Sequence, residues 1–219
     1  MPPTIVELLP LDAADELSVT LSPAIDLHSV AATRLGAVGG REVLASTERG
    51  SDAMRTVLFE RVSPGASLQP LLEVVLPHGL FGGGSAELVT TPRHTFLVVR
   101  VDVPGTGSFN QDVVLHWNAG RWEQLDPNAW LSEFTLPPCF EIWKGRRADL
   151  KALRGVSAVW VAGDANCCPS GGEVSAALEV RDRALRVRMQ GSKLTDLETF
   201  RKDPGHADAI KACEAGKAP

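Results

Sequence analysis

The sequence lacks a long apolar run and an excess of positive charge. No apolar run approaches the roughly 18 residues that a membrane-spanning helix needs, so we expect no transmembrane segment. The formal net charge is -5, whereas binding to phosphate backbones requires a basic stripe, so we expect no nucleic-acid partner. The first residues also lack the basic and apolar regions of a signal peptide. Two histories fit: a cytosolic protein, or an exported domain without its leader.

Tyrosine is absent and cysteine is rare, with 4 cysteines in 219 residues. Hydrophobic residues make up 44% and charged residues 22% of the chain, which is ordinary for a globular protein. A chain of this length buries enough apolar surface to fold without disulfides or metals, so folding does not require the cysteines. The absence of tyrosine, together with abundant arginine, alanine and glycine, is typical of a GC-rich bacterial genome.

None of the standard catalytic spacings occurs. The chain has no G-x-S-x-G, H-E-x-x-H, C-x-x-C, G-x-x-x-x-G-K-[ST] or G-x-G-x-x-G segment. Its histidines lie singly, at His28, His78, His94, His116 and His206. His94 and His116 fall on neighbouring candidate strands and could approach each other, but structural roles are more common for such residues. We therefore predict no catalytic residue, no metal site and no cofactor.

Short runs of apolar residues with period two fill most of the chain and are typical of β-strands. Four candidate strands lie within residues 30–76 and four more within residues 86–125. A third, less complete group includes CFEIWKG, VSAVWVAG and residues 173–190. The pattern predicts an all-β fold of repeated antiparallel four-stranded meanders, either propeller-like or a sandwich. A closed propeller is not expected, because it usually needs about four or more such units.

Two hairpins are predicted from local sequence. In WNAGRW, residues 118–120 supply the turn, and Trp117 and Trp122 could pair across it. Within residues 173–190, the chain would turn at residues 181–184. The apolar residues of this second hairpin fall on one face and its arginines on the other, which indicates a sheet with one buried and one solvated face.

The end of the chain breaks the period-two pattern and predicts a short α-helical tail. Thr195 followed by Glu198 has the spacing of a capping box for one short helix. Asp203 with Pro204 predicts the N-cap and first turn of a second helix. Gly216 stands where a C-cap glycine is expected.

We predict one β-rich domain over residues 1–219. It would begin with an N-terminal extension at residues 1–27. The β-meanders would occupy residues 28–191, and the helical tail residues 192–219. A chain of 219 residues is long enough for one large domain or two small ones.

All tryptophans lie in one segment of the chain. They are Trp117, Trp122, Trp130, Trp143 and Trp160. Such clusters line binding grooves and interface hot spots, or fill a core beneath a sheet. Polar surroundings predict that Trp122 and Trp130 are exposed, and the apolar run AVWVAG predicts that Trp160 is buried. We take Trp117, Trp122 and Trp130 as candidate binding residues.

The segment GDANCCPSGG, residues 163–172, carries two adjacent cysteines in a glycine-rich loop that we call the cysteine loop. Asp164 and Asn166 are its polar candidates for binding. A zinc site built from all cysteine thiolates is disfavoured, because zinc ligands usually lie about two to four residues apart. A nucleophilic cysteine would need a neighbouring base or a helix N-terminus, and a turn and a strand follow instead.

Disulfides are the favoured role for the cysteines, which are Cys139, Cys167, Cys168 and Cys213. On an extended backbone, adjacent side chains point in opposite directions. We predict that one of the adjacent cysteines binds Cys139 and the other binds Cys213. These bridges would staple the loop and the tail to the sheet, each worth about 2 to 4 kcal/mol.

The order of a strand, then GDANCCPSGG, then a hairpin resembles the D-x-N-C-C-P-[ST] segment of exported bacterial proteins of unknown function, such as LppP/LprE-type lipoproteins. The resemblance covers residues 156–187. It implies an extracytoplasmic setting, where disulfides persist, and a small non-enzymatic domain without catalytic residues.

Three functions fit these observations. The leading one is a non-enzymatic periplasmic or secreted domain that binds a protein or glycan partner near the tryptophans and the cysteine loop. The second is a hydrolase without a recognisable motif. The third is a cytosolic accessory or immunity-like protein with reduced cysteines. The stapled cysteines favour the first.

Overall fold

The computed structural model describes residues 32–49, 53–77, 83–102, 112–143, 146–165 and 167–216. Within these residues the chain forms antiparallel sheets followed by two short helices near the C-terminus. The predicted all-β class with a short helical tail is confirmed. The chain divides into two compact units, and the described part of the first ends at Leu125. The predicted N-terminal extension, residues 1–27, and the candidate Asn166 lie outside the described residues.

The first unit contains two four-stranded sheets. The first sheet consists of β1 (Thr33–Val38), β2 (Arg41–Arg49), β3 (Ala53–Arg61) and β4 (Gln69–Pro77). The second consists of β5 (Gly83–Thr90), β6 (Thr95–Asp102), β7 (Val113–Asn118) and β8 (Arg121–Leu125). Each strand pairs antiparallel with the next one in the sequence. These sheets are the first two meanders that the period-two pattern predicts.

The two sheets of the first unit share a hydrophobic core. Val43 and Leu58 of the first sheet belong to the same buried cluster as Leu97 and Leu115 of the second. Within each strand, the members of this cluster are alternate residues, whose side chains point to the same face of the sheet. A smaller cluster around the fully buried Phe59 lies on residues of the alternate parity, and so on the opposite face of the first sheet. The shared cluster shows that the two sheets of this unit pack against each other.

The second unit contains a five-stranded sheet. Its strands are β9 (Phe140–Glu141), β10 (Arg147–Asp149), β11 (Arg154–Val161), β12 (Gly172–Arg181) and β13 (Ala184–Leu194). The order is β10-β11-β12-β13, and β9 pairs with the end of β11. A short 3-10 helix, Ala129–Glu133, precedes the strands. The cysteine loop connects β11 to β12, so it leaves the sheet from two paired central strands.

Two-residue turns close both predicted hairpins. Ala119 and Gly120 connect β7 to β8, with φ angles of 48° and 83°. Asp182 and Arg183 connect β12 to β13, with φ angles of 53° and 56°. Positive φ at both central residues is the turn geometry that matches the twist of paired strands. The turns therefore fix the register of β7–β8 and of β12–β13.

The first tail helix, α1 (Leu197–Arg201), begins one residue later than predicted. Its N-cap is Asp196, whose carboxylate accepts a hydrogen bond from the N–H of Glu198 at 3.1 Å. The prediction that Thr195 caps this helix is therefore wrong. The Thr195 hydroxyl donates to the carbonyl of Ser170 at 2.9 Å instead, because Thr195 still lies beside the chain that enters β12.

The second tail helix is α2 (Ala207–Glu214). Asp203 and Pro204 were predicted to start it, but they belong to a turn, and the N-cap residue is His206. The turn is closed by hydrogen bonds from the N–H groups of His206 and Ala207 to the carbonyl of Asp203. Gly216 has a φ of 68° just after the helix, as expected of a glycine that ends a helix.

Candidate functional site

All cysteines are in disulfides, but the pairing differs from the prediction. Cys139 binds Cys213, and Cys167 binds its neighbour Cys168. The predicted cross-pairing is wrong because the backbone at the adjacent pair is not extended. The N–H of Cys168 donates to the carbonyl of Ala165 at 3.0 Å, which closes a turn. Only the tail is stapled, by a bridge that spans 74 residues.

The buried side chain of Asp164 makes the hydrogen bonds that hold the cysteine loop in place. Its side chain is 2% exposed. One carboxylate oxygen, Oδ2, accepts hydrogen bonds from the N–H groups of Val161 at 2.8 Å and Ser170 at 2.9 Å. The other, Oδ1, accepts from the Ser170 hydroxyl at 2.5 Å and faces Nε2 of His206 at 3.0 Å. Asp164 therefore closes the loop on both sides of the cysteine pair and connects it to the tail.

The charges at this site support the same arrangement. Burial opposes ionisation of Asp164, but hydrogen bonds from Ser170, Val161 and His206 outweigh it and hold its pKa below the usual value. Hydrogen bonds to Asp203 and Asp164 raise the pKa of His206. His206 Nδ1 bonds to the Asp203 carboxylate, so both ring nitrogens face carboxylates. His206 thus bridges the tail turn and the loop.

Asp164, Ser170 and His206 are residue types found in catalytic sites, but their hydrogen bonds differ from those of a catalytic site. A serine nucleophile needs a base that accepts its proton. Here the Ser170 hydroxyl is bonded to Asp164, and both nitrogens of His206 are bonded to carboxylates. The oxygens of Asp164 are also occupied by donors. The arrangement can hold a loop in place, and it offers Ser170 no imidazole base.

The outer side of the loop is exposed and uncharged. Ala165, Cys168 and Pro169 are exposed, whereas Ser170 and Gly171 lie inward. The tail turn lies alongside, since a Cβ on Gly163 would come within 3.3 Å of the His206 backbone. Its Pro204 and Gly205 are also exposed. We call the exposed residues Gly163, Ala165, Cys168, Pro169, Pro204 and Gly205 the cysteine-loop surface.

The tryptophans predicted to bind a ligand lie largely in the interior. Trp117 and Trp122 pair across the β7–β8 turn, with ring centroids 5.1 Å apart, and both pack against the core of the first unit. Trp130 is 0% exposed, so the prediction that it is exposed is wrong. Its indole N–H donates to the carbonyl of Pro127. Its ring lies on Gly155, where a Cβ would come within 2.8 Å.

A different tryptophan of the second unit is partly exposed. Trp143 is 42% exposed and packs edge-on against the buried Trp160, at a centroid distance of 5.9 Å. Trp160 is followed by Val161, the residue whose N–H is held by Asp164. The predicted burial of Trp160 is confirmed. The sequence placed Trp143 among the clustered tryptophans and predicted no exposure and no role for it.

The sequence alone did not predict that residues of the helical tail take part in the site. His206 lies 42 residues from Asp164, and neither residue belongs to a motif. A local signal exists only for the turn, where Asp203 and His206 are three residues apart. In the part of the chain that the structure describes, no group of three or more His, Cys, Asp or Glu side chains could hold a metal ion. Within those same residues, no helix has the length and apolar character that crossing a membrane requires.

Comparison with known proteins found no matching family model, no matching curated protein and no matching solved structure. The resemblance of the cysteine loop to exported proteins of the LppP/LprE type therefore stays a prediction.

Proposed function

We propose that the chain is a non-enzymatic binding or protein-interaction domain that works outside the cytoplasm, in the periplasm or as a secreted protein. It would engage a protein partner through the cysteine-loop surface. The observation that carries this proposal is the buried carboxylate of Asp164, which fixes an exposed loop from both ends and from the tail.

A fixed loop is suited to recognition. Binding residues are often found on loops that a rigid scaffold positions. A loop already held in its bound conformation loses little conformational entropy on association, which favours affinity. Here the scaffold is the pair β11 and β12, and the Cys167–Cys168 bond removes further freedom from the tip.

The chemistry of the surface indicates the kind of partner. The residues that define it are small, apolar or cyclic. The charged groups beside it in the tail turn, Asp203 and His206, are bonded to each other. Protein interfaces have such depleted charge at their centres and use aromatic residues as anchors. Trp143 is the candidate anchor, because it is partly exposed and its ring is braced by Trp160. A glycan partner would need polar side chains to pair with its hydroxyls, so a protein is favoured.

The extracytoplasmic setting is supported by the disulfides. Disulfides persist in oxidising compartments and are rare in the cytosol. The hydrolase alternative has less support, because Ser170 lacks an available base. The cytosolic accessory alternative requires free thiols and is separated by the first experiment below.

The compartment is tested by counting thiols. Protein purified from its native host is denatured, alkylated without reduction and weighed by mass spectrometry. We expect no alkylated cysteine among Cys139, Cys167, Cys168 and Cys213. Four alkylated cysteines would contradict an oxidising compartment and favour the cytosolic alternative.

The surface is tested by site-specific photo-crosslinking in the native host. A photoreactive amino acid replaces Pro169, and a matched variant carries it in place of Glu48, which is exposed in the first unit. We expect a discrete crosslinked protein at the first position, absent from the second, and weakened when Trp143→Ala is added. Absence of a crosslink at Pro169, or the same product at both positions, would contradict the proposed surface.

A further inference from the structure

Two histidines of the first unit face each other on the second sheet. His94 immediately precedes β6, and His116 lies on β7 opposite Phe96. Nδ1 of His94 is 3.2 Å from Nε2 of His116. The rings of these two histidines and Phe96 form a cluster, with centroids 5.2 to 5.7 Å apart. Sequence reasoning predicted that the two histidines could approach and gave them no site.

The surrounding structure holds both rings in place. The Thr91 hydroxyl donates to the carbonyl of His94 at 3.1 Å and accepts from its N–H at 2.9 Å, so the backbone of His94 is fixed by a turn. Phe96, which is fully buried, stacks against the His94 ring. His116 is fixed by strand pairing on both sides, to β6 and to β8. The two nitrogens are therefore positioned by packing and backbone hydrogen bonds.

We propose that His94 and His116 form a binding site for a divalent ion of the late first-row metals, with Nδ1 of His94 and Nε2 of His116 as ligands. Zinc binds imidazole nitrogens at about 2.0 to 2.1 Å, and tetrahedral geometry then separates two such nitrogens by about 3.3 Å. The observed separation is 3.2 Å. Imidazole suits Zn²⁺, Cu²⁺ and Ni²⁺, whereas Mg²⁺ and Ca²⁺ prefer oxygen.

The charged groups beside the pair are Arg93 and Glu123. Arg93 adjoins His94 in the chain, and Glu123 lies across the strands from His116. The Glu123 carboxylate is paired with Arg121 and Asn118. The separation of the two nitrogens, and not the neighbouring charges, is therefore what suits a metal ion.

With two protein ligands, some coordination positions of the ion would not be filled by the protein. Because no third His, Cys, Asp or Glu of the described residues joins the pair, water or a donor from a partner molecule would fill the other two positions of a tetrahedral ion. An open position is typical of sites that bind a further ligand on the metal. The competing interpretation is a plain hydrogen bond, in which one neutral ring donates to the other.

The test uses the full chain with its disulfides intact, so that no free thiol binds the metal. Zn²⁺ is titrated into the metal-free protein at neutral pH in a buffer that does not bind zinc, and heat is measured by calorimetry. We expect one equivalent per chain. The long-range ¹H–¹⁵N spectrum of the wild-type imidazoles should show shifts at Nδ1 of His94 and Nε2 of His116. This spectrum does not depend on any variant folding.

The second measurement compares the zinc affinity of the variants His94→Gln and His116→Gln with that of the wild type. His28→Gln is the matched control, because it also loses a single histidine. Loss of an outer-shell partner costs about tenfold to hundredfold in metal affinity, and loss of a ligand should cost at least as much. We expect that reduction in both site variants and none in His28→Gln. No binding by the wild type up to about 1 mM zinc, or shifts at other histidines, would overturn the proposal in favour of the hydrogen bond.

Discussion

The sheets of the first unit and the loop and tail of the second unit are stabilised by different means. In the first, the two sheets bury a shared apolar cluster that draws residues from most of their strands. In the second, the apolar cluster at the tail is small and centres on Val161, Phe200 and Ile210. A disulfide and a buried carboxylate act on the same region. The comparison teaches that a loop and tail with little apolar surface can be fixed by covalent and polar bonds.

The largest expected effect comes from the core of the first unit. Leu58→Ala removes a fully buried side chain and should lower the free energy of unfolding by about 2 to 5 kcal/mol. Val62→Ala is the matched control, since Val62 is 62% exposed; it should change stability by less than about 0.5 kcal/mol. Denaturant unfolding measures both. Equal losses would show that apolar burial does not dominate this unit.

The second prediction separates the two disulfides. Cys139→Ser with Cys213→Ser removes the bridge that spans 74 residues and should cost about 2 to 4 kcal/mol, because a long loop gains freedom when unfolded. Cys167→Ser with Cys168→Ser should cost much less, since a bond between neighbours closes almost no chain. Thermal or denaturant unfolding of the two double variants measures the difference. A greater loss for the adjacent pair would reverse our view of which disulfide stabilises the second unit.

The third prediction concerns the carboxylate under the cysteine loop. Asp164→Asn keeps the shape of the side chain but replaces one accepting oxygen by an NH2 group that faces hydrogen-bond donors. It should lower the free energy of unfolding by about 1 to 3 kcal/mol. Asp149→Asn is the control, because Asp149 also accepts two backbone N–H groups, from Lys151 and Ala152, but is exposed. Hydrogen exchange of the loop amides locates the loss. Unchanged exchange at Val161 and Ser170 would contradict the role of Asp164.

The smallest effect should appear as a dependence on pH. Because the pKa of His206 is raised in the folded protein, its contribution to stability is fully present below the ordinary value of about 6.5 and is lost as the pH rises through the raised value. The stability of the wild type relative to His206→Gln should therefore decline on the alkaline side. Unfolding of both proteins between about pH 5 and pH 9 measures this. A difference that stays constant over this range would contradict a charged His206.

Local patterns were sufficient for most of the fold. The period-two alternation predicted the meanders, and the turn residues predicted where both hairpins reverse, because strand pairing between neighbours depends on short-range geometry. The predicted starts of the two tail helices were less accurate. Asp196 and Thr195 are both good N-cap residues, and the contact of Thr195 with Ser170 decides between them.

The site was less predictable, because its parts are distant in sequence. The cysteine loop and Asp164 were identified from composition, but the role of Asp164 depends on His206. The disulfide pairing depends on a turn at Ala165 that no local rule anticipates. Trp130 stands in polar sequence, yet Gly155 leaves a space that its indole fills. Apart from the bond between the adjacent cysteines, these errors concern contacts between residues far apart in the chain.

The bond between Cys167 and Cys168 has a consequence for the order of folding. Cys139 precedes these two thiols in the chain and Cys213 follows them, so an early bond between Cys139 and either of them would leave Cys213 without its partner. Breaking such a bond takes seconds to hours by thiol exchange. By pairing with each other, the adjacent cysteines leave Cys139 free for the partner that arrives last.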